Sequence, residues 1–184
     1  MRQRDFPWWI DFLPLALGLL LLLALPVLGQ SDVAQAKAWI EAREHLDRID
    51  EATWRQLLSE EEYEILWEKG TERAFTGELL ENQRDGVYVT AGCRIPVFDS
   101  RHKYKSGTGW PSFWEVLDEE NIRLEDDYTW YGYRRVEVVS ACGEHLGHVF
   151  EDGPEPTGLR YCINSLALDF VPREQWESRS RQSD

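Results

Sequence analysis

At 184 residues the chain is long enough for one domain with a substantial core, plus an extension. Hydrophobic residues make up 42% and aromatics 12%, which excludes a disordered chain. A formal net charge of −14 argues against nucleic acid, or an anionic membrane surface, as a partner of the soluble part.

Phe12 to Gly29 holds no charged residue over eighteen positions, enough for a helix to cross a bilayer core of roughly 30 Å. Arg2 and Arg4 precede this run, Trp8 and Trp9 stand where an aromatic belt would lie, and residues 29–36 carry no Lys or Arg. The positive-inside rule therefore keeps the amino terminus in the cytoplasm and exports the rest. A cleaved signal peptide is the competing reading, with Ala34-Gln35-Ala36 as a small-residue cleavage site. Residues 1–30 are thus a signal anchor or a signal peptide. The domain behind them is expected outside the cytoplasm, held at the membrane facing the periplasm or exterior, or released as a soluble periplasmic protein.

From Val33 to Leu58 apolar residues such as Ala38, Ile40, Ile49 and Trp54 recur at roughly helical spacing in a polar background. Residues 31–58 read as a helical linker that spaces the domain from the membrane. Ser59-Glu60-Glu61-Glu62 is a capping box for a helix through about Trp67 that ends at Gly70. Turn signals at Phe75-Thr76-Gly77 and Arg84-Asp85-Gly86 then give way to a β-branched strand at Val87–Thr90. The main domain spans 59–172, and 173–184 form a polar tail.

Within that domain, Lys105 to Trp114 contains a Gly- and Pro-fixed loop presenting Trp110, as packing or as a pocket wall. Downstream, Arg160, Cys162 and Asn164 share the i, i+2, i+4 spacing of one strand face. A cation two residues from a thiol is expected to lower its pKa. The turn Asp152–Gly158 can fold His145 and His148 back over the sulfur, the arrangement of an activated nucleophile. The alternatives are a buried strand cysteine with unrelated surface histidines, or a transition-metal site on Cys142, His145, His148 and Cys162. Cys93 makes the cysteine count three, which in an oxidising compartment means one pair and one free thiol.

Three segments carry a family resemblance: C-R-I-P-V-F-D-S from Cys93, S-G-T-G-W-P-S-F from Ser106, and H-L-G-H-V-F-E-D-G-P-E-P-T-G-L-R-Y-C-I-N-S-L-A-L from His145. Together they resemble the methionine-R-sulfoxide reductases of the MsrB type, from about Ser59 to Pro172. The resemblance implies a mainly β fold of two antiparallel sheets with peripheral helices. It also implies reduction of R-methionine sulfoxide in oxidised proteins or peptides.

By the same resemblance Cys162 is the nucleophile, with His148 as proton donor and His145 and Asn164 as binding and orienting groups. Trp110 packs against the S-methyl group, and Arg160, Asp152 and Phe150 complete the substrate site. Thiolate attack on the sulfoxide sulfur would release the thioether and leave a sulfenic acid on Cys162.

Two departures from the family pattern matter. The C-x-x-C pairs that hold zinc in many relatives are reduced here to Thr90-Ala91-Gly92-Cys93 and Val139-Ser140-Ala141-Cys142. Two thiolates are too few for a structural zinc, so no metal or other cofactor is expected. Because those positions surround one metal in the relatives, Cys93 and Cys142 are expected to be neighbours and, after export, a disulfide. The second departure is Thr108, which stands where the usual resolving cysteine lies. Cys162 then lacks its standard partner, and either an external thiol or dithiol, such as a thioredoxin-like protein, reduces it directly, or Cys93/Cys142 takes part by movement.

Overall fold

A computed structural model describes residues 32–128 and 132–181. Short helices come first: α1 (Val33–Ala42), α2 (Glu51–Leu57) and α3 (Glu60–Glu68). Each starts where a side chain satisfies an orphan backbone N–H. Asp32 accepts from Ala34 N, Asp50 accepts from Thr53 N, and Ser59 and Glu62 form the reciprocal capping box expected from the sequence.

Two antiparallel sheets follow. In the first, β1 (Gly86–Thr90) lies between β2 (Pro96–Asp99) and β9 (Leu168–Pro172). The second runs in the order β3 (Lys103–Tyr104), β4 (Ser112–Phe113), β8 (Arg160–Ile163), β7 (His145–Phe150), β6 (Arg135–Ser140) and β5 (Ile122–Asp127). Aromatic side chains join the sheets. Phe98 stacks on Phe113 with centroids 4.3 Å apart, and Tyr88 and Tyr161 pack around them. Tyr161 and Ile163 therefore face the core, and alternation along β8 leaves Arg160 and Cys162 on the other face.

Both ends of the described chain differ from the expectation of a spacer and a polar tail. Ala36, Ile49 and Trp54 are buried in the main core, and Trp54 packs 5.3 Å from Trp67. The segment before Ser59 is helical, but it covers the domain rather than standing off from it. At the other end, α4 (Arg173–Ser180) docks through Arg173, which pairs with Asp85 and Asp99, and through Trp176 against Val87, Val89 and Val171. Among the described residues no helix is long and apolar enough to cross a membrane. The apolar run 12–29 lies outside them.

Candidate functional site

The sheet register places Cys162 in a transverse row of side chains. Cys162 pairs with Ser112 on β4 and with His148 on β7; His148 pairs in turn with Glu137 on β6. The long turn 151–159 does bring the histidine strand beside the cysteine strand, but as an ordinary hairpin, with His148 paired directly across from Cys162. Arg160 lies one step along the same face, its guanidinium 4.4 Å over the Phe150 ring and doubly bonded to Asp152 at 2.8 and 2.9 Å.

His145 and His148 are three residues apart, so an unbroken strand would put them on opposite faces. A bulge resolves this. The β6–β7 register slips between Val138 and Val139, which face Gly147 and His145, leaving Leu146 as the extra residue. Leu146 drops into the core, and the two imidazoles meet edge to face at 5.5 Å. Gly147 permits the bulge with φ +156°, and a Cβ there would lie 2.1 Å from the Cys162 carbonyl oxygen.

A carboxylate orients each histidine. His148 Nε2 lies 2.8 Å from Asp127 Oδ2, which also accepts from Arg135 at 2.7 Å. His145 Nδ1 lies 2.7 Å from Glu137 Oε1, and Lys69 reaches the other oxygen of Glu137 at 2.8 Å. Burial pushes both imidazoles below their usual range, against the pull of Asp127 and Glu137, so both are neutral at pH 7. Burial would raise Glu137, but Lys69 and His145 hold it low and ionised. Each carboxylate then accepts an N–H from its histidine, leaving the opposite ring nitrogen as a base. The Nε2 of His145 is buried with no partner among the described residues.

The Cys162 thiol departs from its expected behaviour. Burial pushes it above its usual range, outweighing the Thr108 hydroxyl at 3.7 Å and the charge of Arg160. Arg160 is already committed to Asp152, which it holds well ionised. The resting thiol is therefore protonated, contrary to what the Arg-x-Cys spacing suggests. Thr108 belongs to a hydroxyl chain through Ser106 (2.9 Å) to Ser112 (2.7 Å).

Above the sulfur lies a cavity of about 120 Å³ walled by Trp110, Arg135, His148, Phe150 and Asn164. That is room for a side-chain tip and too small for a drug-sized ligand. Glu72, to which no sequence motif points, sets two of its walls. Its carbonyl accepts from Trp110 Nε1 at 3.1 Å, its N–H donates to Asn164 Oδ1 at 3.1 Å, and its carboxylate accepts from Ser165 N and Leu166 N. Asn164 Nδ2 donates to the Leu146 carbonyl, so its amide is spent on position. Asp127, Arg135, Glu137 and Lys69 were also missed by motif reading. The alternation Arg135-Val136-Glu137-Val138, with its valines toward the core, was the available signal for two of them.

Cys93 and Cys142 form a disulfide across the turns β1–β2 and β6–β7, and Cys162 is free. With both sulfurs bonded to each other, Val139 inert and the Thr90 hydroxyl turned to Glu144, these residues do not fit a four-donor zinc site. Of the set Cys142, His145, His148 and Cys162, the last three come together while Cys142 stands apart, bonded to Cys93. Among the described residues the clustered donors are Cys93, Cys142 and Glu144.

Residues 58–172 match the SelR domain. The chain is 51% identical over 125 residues to the peptide methionine sulfoxide reductase MsrB of Methanosarcina mazei, covering 67% of this chain and 89% of that protein. It is 54% identical over 125 residues to that of Thiobacillus denitrificans, covering 67% and 94%, and 52% identical over 132 residues to that of Alteromonas mediterranea, covering 71% and 92%. The chain belongs to the MsrB family of peptide methionine sulfoxide reductases.

Proposed function

We propose that the chain reduces the R epimer of methionine sulfoxide in oxidised proteins and peptides, with Cys162 as the nucleophile. The observation that carries this reading is the register of β7 and β8, which sets a free thiol opposite an imidazole on the floor of a cavity walled by Trp110.

A neutral thiol beside a neutral imidazole defines the sequence of events. As the sulfoxide enters, the Cys162 proton passes to the free nitrogen of His148, and Asp127 stabilises the imidazolium. The thiolate attacks the sulfoxide sulfur. The imidazolium proton goes to the sulfoxide oxygen as the Cys–S bond to the methionine sulfur forms. The protonated oxygen then passes to the Cys162 sulfur, that S–S bond breaks, and the methionine thioether leaves with Cys162 as a sulfenic acid.

Asn164 and Phe150 line the cavity, Trp110 accepts the S-methyl group, and His145, Arg160 and Asp152 act from beside it, His145 against His148 and the Arg160–Asp152 pair against Phe150. Thr108 has no thiol, so regeneration of Cys162 falls to an external thiol or dithiol of the thioredoxin-like kind. No structural zinc or other cofactor takes part. Residues 59–172 form the catalytic unit. The leader at 1–30, an anchor or a cleaved signal, would export it to repair oxidised proteins outside the cytoplasm.

Turnover of separated R and S methionine sulfoxide peptides with a dithiol tests the activity. The R epimer is expected to be reduced and the S epimer left untouched. Equal reduction of both would refute the stereochemical assignment.

A further inference from the structure

The mechanism above makes no use of Glu144, one of the most deeply buried carboxyls in the molecule. It lies against the Cys93–Cys142 disulfide. Its Oε1 accepts from Gly92 N at 2.9 Å and Cys93 N at 2.8 Å, while Oε2 accepts from Ser140 Oγ at 2.9 Å and stands 3.1 Å from Cys142 Sγ. One carboxyl oxygen and both sulfurs lie within 4.8 Å of one another. A disulfide sulfur has no proton to give, so the short O···S contact is favourable when the proton is on the carboxyl. Burial of Glu144 favours that protonated form.

The two cysteines are unequally exposed. Cys93 is fully buried, whereas Cys142 is partly exposed and borders a cavity of about 500 Å³ between the amino-terminal helical segment and the domain. Arg43, Asp47, Pro96, Asn121 and Ala141 line the same cavity.

We propose that Cys93–Cys142 is a second thiol–disulfide exchange site, open to a dithiol through this cavity, with Glu144 as its acid–base group. A thiolate of the dithiol attacks Cys142 Sγ, and the Cys142–Cys93 bond breaks. The electron pair goes to Cys93 Sγ, which takes the Glu144 carboxyl proton. The second thiol of the dithiol then attacks its own sulfur in the mixed disulfide and gives its proton back to Glu144. Cys142 leaves as a thiolate and is protonated by solvent. Two electrons have moved, the dithiol is oxidised to a disulfide, and Cys93 and Cys142 are both reduced.

Cys162→Ser in the full-length chain isolates this site, because thiol counting reads it without any sulfoxide chemistry. Its failure is therefore separate from failure of the reductase reading. Native protein is treated with dithiothreitol, acid-quenched, alkylated and mapped by mass. Reduction is expected at least tenfold faster than global unfolding measured in the same buffer. With glutathione, the first mixed disulfide is expected on Cys142. Adding Glu144→Gln is expected to slow exchange at least tenfold relative to the parent. Reduction only at the unfolding rate, or a first adduct on Cys93, would overturn the proposal and leave the bond a plain staple. An unchanged rate in a folded Glu144→Gln variant would remove Glu144 from it.

Discussion

Cys162 is a thiol held protonated until a substrate arrives, and that property is measurable without substrate. Its alkylation by iodoacetamide should have a pH midpoint above the ordinary value of about 8.5, since burial outweighs Arg160 and Thr108. A midpoint below 7 would mean that Arg160 acts on the thiol unmasked. Thr108→Val removes the hydroxyl 3.7 Å from the sulfur and should move the midpoint higher still, with slower sulfoxide reduction. That Arg160, Cys162 and Asn164 belong together, and that two histidines lie close by, was legible because they sit in R-Y-C-I-N and H-L-G-H. The state of the thiol was not. The i, i+2 spacing shows a cation near a sulfur, but the Asp152 that engages that cation lies across a hairpin.

At the scale of the element, β7 depends on its bulge. Gly147→Ala puts a Cβ 2.1 Å from the Cys162 carbonyl oxygen, so it should cost more than about 3 kcal/mol and abolish activity together with the β7–β8 pairing. Denaturant unfolding and a sulfoxide assay on the same preparation check both. The buried histidines of β7 also set a pH dependence. Their folded pKa values lie below the unfolded value of about 6.5, so their contribution to stability is intact above that pH. It is lost as pH falls, when the unfolded chain binds protons that the folded one refuses, by up to about 1.4 kcal/mol per pH unit for each histidine. His148→Gln cannot titrate and should lose less stability than wild type between pH 7 and 5.5. An equal loss would remove His148 from the account. Strand alternation read from the sequence could not have joined His145 to His148, because the joining element is an irregularity. It could have marked Glu137 as facing them.

Over the whole molecule the family motifs fall on β2, β4, β7 and β8, while the packing of the ends was hidden. Polar helices with scattered apolar positions read alike whether they stand free or cover a core, and only the burial of Ala36, Ile49 and Trp54 separates the two. Trp54→Ala should therefore cost about 3–5 kcal/mol in urea or thermal unfolding; a loss under about 0.5 kcal/mol would restore the spacer reading. If Cys162 reduces the sulfoxide alone and stops at a sulfenic acid, a single turnover without reductant will show it. Excess R-methionine sulfoxide peptide is mixed with the protein, the methionine formed is counted, and the sulfenic acid is trapped with dimedone. One methionine per chain and one dimedone adduct on Cys162 are expected, and neither in Cys162→Ser. Two methionines per chain, a new disulfide at Cys162, or unchanged yield in Cys162→Ser would contradict it.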